Sequence, residues 1–141
     1  MNLPNLKNPQ IFQELGQVNR ESLNKCDQLL LILSSKPATR DLKKLPYGDN
    51  IKKLLRKLPS DSTPNFTTRL PNSKQTLIVG GVTSKDASVF DQLTLGRELI
   101  SKTSNEYNGS LGICVIGFEN KHTHSLYNSI LAAALAASFQ L

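Results

Sequence analysis

The sequence predicts an α/β fold with a largely parallel or mixed sheet flanked by helices. Short, largely apolar runs at 28–33, 75–80 and 111–118 are typical of strands covered on both faces. Amphipathic helical patterns alternate with these runs along the chain, and this alternation is characteristic of α/β domains. The length of 141 residues suits one such domain.

The composition predicts a globular chain with enough apolar material for one core. Hydrophobic residues make up 38% of the chain and charged residues 20%, which argues against bulk disorder. No secretory signal pattern is visible, and no apolar run approaches the roughly 20 residues needed to cross a bilayer. We therefore expect a cytoplasmic location and no membrane partner.

The first part of the chain divides into a polar segment and a predicted strand. Residues 1–25 are polar and predict a variable N-terminal extension, with a helical turn at 9–15. The run "CDQLLLIL" follows, closed by turn-forming residues, and its residues 28–33 predict a buried strand.

A helix is predicted over 48–58, in the stretch "LPYGDNIKKLLRKLPS". Ile51, Leu54, Leu55 and Leu58 form a single apolar stripe at helical spacing. Asp49 suits the N-terminal end of this helix, and the proline after residue 58 ends it.

The next elements are predicted as a β-hairpin, two helices and one more strand. The hairpin has strands at 66–70 and 75–80, joined by the turn "PNSK". A helix is predicted over 84–102 with Ser84 as its N-cap. After an Asn108-Gly109 turn come a fully apolar strand at 111–118 and a final helix at about 123–139.

Positive charge is concentrated in one segment. The net charge is +6, and residues 36–57 contain eight basic and two acidic residues, which accounts for the whole excess. On the predicted helix the cations lie away from the apolar stripe; they are Lys52, Lys53, Arg56 and Lys57. This face is a candidate for binding nucleic acid or an acidic partner. The alternative is an ordinary solvated helix face.

The glycine pair in "VGGVTSKD" is a candidate anion or nucleotide edge. Gly80 and Gly81 follow a predicted strand and Ser84 begins the next helix, a position where backbone N–H groups and the helix dipole often bind anions. The stretch matches neither the dinucleotide-binding glycine fingerprint nor the phosphate-binding loop. The alternative is that the glycines only permit a tight exit from the sheet.

No catalytic, cofactor or metal residue is predicted in this chain. His122 and His124 form "HTH" at the start of a predicted helix with only Glu119 nearby, so exposed histidines are the simpler interpretation. Cys26 and Cys114 are predicted to be buried free thiols. Neither a nucleophile elbow nor a zinc-protease motif occurs.

The order of these features resembles the N-terminal domain of the leucyl aminopeptidase (cytosol aminopeptidase) family. The similar segments are "DQLLLIL", the hairpin "TRLPNSKQTLIVGGV", the helix containing "LGRELI", the strand "LGICVIGF" and the helix "SILAAALAASFQL". The last resembles the family's helix of small residues and leucine that precedes the linker to the catalytic domain. The resemblance covers residues 26–141, and the apolar helix at the chain end favours a domain fragment.

This resemblance implies a macro-domain-like three-layer sandwich that is not itself catalytic. In the family a second domain holds two divalent metals, zinc or manganese, and releases N-terminal amino acids from peptides. The family assembles as hexamers, and some relatives bind DNA. We therefore expect a packing and assembly role, with the catalytic domain of the same polypeptide as partner.

Two other functions remain open at the level of sequence. One is a macro-like module that binds nucleotides or nucleic acid. The other is a small assembly protein that dimerises through the apolar face of its last helix.

Overall fold

The computed structural model describes residues 20–34, 42–43, 45–57, 65–103 and 110–138. These residues form four helices and a four-stranded sheet, in the order α1 (Arg20–Asn24), β1 (Gln28–Ser34), α2 (Gly48–Lys57), β2 (Phe66–Arg69), β3 (Leu77–Thr83), α3 (Val89–Ser101), β4 (Leu111–Ile116) and α4 (Asn120–Ser138). The predicted α/β class is confirmed.

The sheet is mixed, and its central pair is parallel. The strand order is β2-β3-β1-β4. β1 pairs in parallel with β3 on one side and with β4 on the other, whereas β2 pairs antiparallel with β3. The predicted hairpin is therefore present, since β2 and β3 are consecutive and adjacent.

Strand β1 is the centre of the core because both of its faces are covered. Its first six residues are all buried. Alternate side chains of a strand point to opposite faces, so Leu29, Leu31 and Leu33 enter one apolar cluster while Leu30 and Ile32 enter a second.

The two clusters place helices on both faces of the sheet. Leu23 of α1 and Ile51 of α2 belong to the first cluster. Leu99 of α3, with Leu126 and Ile130 of α4, belongs to the second. The sheet is therefore sandwiched between α1 and α2 on one face and α3 and α4 on the other.

Helices α3 and α4 pack closely because small residues face each other. A methyl group built on Gly96 of α3 would lie 2.7 Å from the Cβ of Ala133 and 3.3 Å from the Cδ1 of Ile130. The alanine-rich sequence of α4 thus serves close helix packing.

A buried polar group also joins these two helices. Gln92 of α3 is 5% exposed, and its side-chain amide donates to the carbonyl of Ala87 at 3.2 Å. Its side-chain oxygen accepts from the hydroxyls of Ser129 at 2.7 Å and Ser125 at 3.3 Å. These bonds offset the cost of burying the amide and fix the register between the helices.

Several predicted boundaries are wrong. β3 continues to Thr83 rather than ending at residue 80, because Gly80 and Gly81 pair in register with β1. α3 begins at Val89 with Ser88 as its N-cap, so Ser84 is not the cap as predicted. The hydroxyl of Ser88 accepts the N–H of Asp91 at 3.1 Å and satisfies a first-turn donor.

Two further boundaries differ. α4 begins at Asn120, three residues before the predicted start at 123. β4 ends at Ile116 instead of residue 118 and occupies an edge of the sheet, where most of its side chains are half-buried. The helical turn at 9–15, the Asn108-Gly109 turn and residues 58, 139 and 141 lie outside the described residues.

No helix within the described ranges has the length and apolarity required to span a membrane.

The substitution Gly80→Ala is expected to lower the free energy of unfolding by about 1–3 kcal/mol, because the added methyl group would enter the ring of Phe66. Urea unfolding measures this loss. In a Phe66→Leu background the same change should cost less, since leucine leaves room beside Gly80. An equal loss in both backgrounds would show that the ring is not the cause.

Candidate functional site

The carboxyl ends of the three parallel strands meet at one edge of the sheet. Ser34 at the end of β1 pairs with Thr83 at the end of β3, and Leu33 pairs with Ile116 at the end of β4. β1 leads towards α2 on one face, whereas β3 and β4 lead to α3 and α4 on the other. The sheet edge at which the following helices change from one face to the other is the usual ligand position in open α/β sheets.

A cleft of about 320 Å³ occupies this edge. Its walls combine hydroxyl groups, two nitrogen bases, a carboxylate and an aromatic ring. The lining residues are Ser34, Thr83, Ser84, Lys85, Gly117, Phe118, Glu119 and His122. Every one of the three parallel strands, or the loop directly after it, contributes to the lining.

The turn after β3 presents Lys85 to the cleft. The hydroxyl of Ser84 accepts the N–H of Asp86 at 3.1 Å, and its carbonyl accepts the N–H of Ala87 at 3.1 Å. These bonds fix the backbone on either side of Lys85. Its exposed ammonium group makes no ion pair with any other described residue.

Gly117 closes the cleft against the end of β1. Its φ of 93° lies in the left-handed region, which favours glycine. A methyl group at this position would also collide with the hydroxyl oxygen of Ser34. Both the backbone conformation and the available space therefore require glycine where the chain turns from β4 towards α4.

The first turn of α4 supplies the remaining polar groups. Glu119 precedes this helix, and its carbonyl accepts the N–H of Thr123 at 2.9 Å. His122 is half-buried and lines the cleft, whereas His124 is exposed and lies outside it. The two histidines of "HTH" therefore do not converge on a shared point in the cleft.

The cleft does not have the ligand set of a metal centre. Among the described residues, no three His, Cys, Asp or Glu side chains are grouped so that they could hold a metal ion. Glu119 and His122 supply only two donors, while zinc sites in proteins use three or four protein ligands.

The structure places the residues of the predicted anion edge, Gly80, Gly81 and Ser84, in different environments. Ser84 lines the cleft. Gly80 lies inside β3 against the ring of Phe66, and a methyl group on Gly81 would lie 3.0 Å from the Cδ1 of Leu95. The two glycines thus serve packing on opposite faces of the sheet.

Sequence reasoning missed Lys85, Phe118 and the cleft position of His122. These residues are far apart in sequence and form no recognised motif. One available signal was their position, since each follows the end of an apolar strand and parallel strands bring their carboxyl ends together.

The predicted basic face is present on α2. Ile51 is buried, whereas Lys53, Arg56 and Lys57 are exposed and Lys52 is half-buried. None of these four cations forms an ion pair with another residue in the part of the chain that the structure describes. The helix thus presents an uncompensated positive surface. The other basic residues of the segment, apart from Lys43, lie outside the described residues.

The two cysteines differ in environment. Both are free thiols. Cys114 on β4 is buried, as predicted. Cys26 is half-buried, and its thiol donates to the carbonyl of Ser22 at 3.6 Å. Burial raises the pKa of Cys114 from 9.0 to about 12, because the thiolate would lose its hydration. Neither cysteine lines the cleft.

Iodoacetamide at mildly alkaline pH should therefore modify Cys26 before Cys114 in the folded protein, because only a thiolate reacts and Cys114 remains protonated. Peptide mass spectrometry at successive times measures both rates. In urea the two rates should become similar. Equal rates in the folded protein would contradict the burial of Cys114.

Comparison with known proteins does not assign this chain to a family. No family model, curated protein or solved structure matches it.

Proposed function

We propose that the chain is the non-catalytic N-terminal domain of a cytosolic leucyl aminopeptidase. The proposal is supported by the resemblance of five segments in the same order along the chain. The observation that carries it furthest is that these segments are neighbours in space and together build the sheet and one helical layer.

The contacts between these segments are specific. "TRLPNSKQTLIVGGV" forms the hairpin of β2 and β3, and "DQLLLIL" forms β1 beside it. "LGRELI" lies on α3 and "SILAAALAAS" on α4, and these helices meet where Gly96 packs on Ala133. The segments that carry the resemblance are therefore the ones on which the fold depends.

In this proposal the domain packs on a catalytic domain and helps the enzyme to assemble as a hexamer. The two divalent metals, zinc or manganese, and the groups that hold them belong to that other domain. Val89 and Phe90 supply a surface suited to such packing, because they are 60% and 71% exposed at the start of α3.

The transcript that encodes the chain tests this proposal directly. Past the codon for Leu141, the reading frame should continue for roughly 300 residues, the size of one or two further domains. These residues should include the family signature Asn-Thr-Asp-Ala-Glu-Gly-Arg. The 141-residue chain should not hydrolyse leucyl peptides with zinc or manganese, whereas the longer product should. A stop codon at this point, or hydrolysis by the short chain, would overturn the proposal.

A second candidate is a macro-like module that binds nucleotides or nucleic acid. Two separate observations favour it: the cleft at the carboxyl ends of the parallel strands, and the cations on the surface of α2. The cleft suits a small molecule, whereas the helix surface suits the repeated phosphates of a polynucleotide.

For polynucleotides, affinity should fall steeply as salt rises, since binding releases counterions from the phosphates. Fluorescence anisotropy with a labelled oligonucleotide measures this dependence. The variant Lys53→Gln/Arg56→Gln/Lys57→Gln should bind more weakly and reduce the salt slope by about 0.7 to 0.9 for each lost contact. A matched control is Arg97→Gln/Lys102→Gln/Lys121→Gln, which removes three exposed cations outside α2. Equal weakening in both variants would indicate non-specific attraction to net charge.

A further inference from the structure

We propose that the cleft binds a small molecule through a phosphate group, with Lys85 as its principal contact. This inference rests on the binding-module function and names the ligand chemistry of that site. It does not depend on the aminopeptidase proposal. The proposed anion site lies at the loops that follow β3 and β4, and not at the pair Gly80 and Gly81 that the sequence predicted.

The size of the cleft limits the ligand. A volume of about 320 Å³ lies at the lower end of the ~300–1,000 Å³ range for small-molecule sites. A sugar phosphate or a single nucleotide is a ligand of suitable size for such a site. The position at diverging strand ends is the one at which α/β sheets commonly bind such compounds.

In this proposal Lys85 provides the ionic contact for the phosphate. Lys85 places an ammonium group at the cleft with no carboxylate partner among the described residues. His122 adds a second nitrogen donor to the lining. Ammonium groups bind phosphate oxygens through short, charge-assisted hydrogen bonds. Glu119 is the one carboxylate among the described lining residues, and it can accept hydrogen bonds from ligand hydroxyl groups.

The hydroxyl groups of the strand ends complete the set of donors. Those of Ser34 and Thr83 lie side by side, because these residues are partners in the parallel register. Both residues line the cleft, where their hydroxyl groups can donate to ligand oxygens. Phe118 adds an aromatic ring to the same cleft. The lining thus combines donors for a phosphate with an apolar surface for the rest of the molecule.

The test uses the folded 141-residue chain, labelled with ¹⁵N and titrated at millimolar concentration with four probes. Three carry phosphate: inorganic phosphate, ribose 5-phosphate and adenosine 5′-monophosphate. The fourth, adenosine, carries none. The phosphate-bearing probes should shift amide resonances of 83–85 and 117–122, and adenosine should not. Comparison of the affinities of the three phosphate probes shows how much the sugar and the base add to binding.

The variant Lys85→Gln should weaken binding of the phosphate probes by about tenfold, because a charge-assisted hydrogen bond is lost. Lys102→Gln is the matched control: it removes another exposed lysine, which follows the far end of α3, and should bind as the unchanged chain does. Both positions are exposed, so the two variants should retain the fold and its NMR spectrum.

Three results would overturn the inference: no shifts with any phosphate probe, equal binding of adenosine, or unchanged affinity in Lys85→Gln. Oligonucleotide binding, measured on the same preparation, distinguishes failure of the cleft inference from failure of the binding-module function. If it persists while the phosphate probes fail, only the cleft inference is wrong. If both fail, the binding-module function is wrong as well.

Discussion

The constraint on which the structure depends is the complete burial of β1. Residues 28–33 offer no polar face to water, so apolar layers must cover the strand on both sides. Its backbone N–H and C=O groups are also removed from water and need partners along both edges. β3 and β4 satisfy these edges in parallel, and the helices on each face cover its side chains.

The cleft follows from this arrangement. Two parallel neighbours in register with one central strand bring three carboxyl ends to the same edge of the sheet. The helix that follows β1 lies on one face of the sheet, and the helices that follow β3 and β4 lie on the other. Gly117 then brings the exit of β4 against Ser34 and sets one limit of the cleft. Core burial thus determines where a ligand can lie.

The sequence predicted the elements better than their arrangement. Apolar runs and helical stripes located β1, the hairpin, α2, α3, β4 and α4 because these patterns depend on local periodicity. They did not reveal that β4 is an edge strand, since an apolar run looks the same at an edge as in the centre. Glycine at 80 and 81 suggested a strand end, but packing against Phe66 and Leu95 accounts for both residues. The cleft residues were missed because their proximity depends on strand order.

The shape and the charge of the cleft have different origins, and this difference matters for function. A fold supplies clefts whether or not they are used, so the shape alone does not imply a ligand. Gly117 and Ser34 are in contact and serve the fold itself. Lys85 is exposed and makes no ion pair with another described residue, so nothing in this part of the fold requires a cation there. A structural role would be equally well served by a neutral polar side chain in that turn. In the proposed phosphate site, the ammonium group of Lys85 is the contribution that sheet geometry alone does not supply.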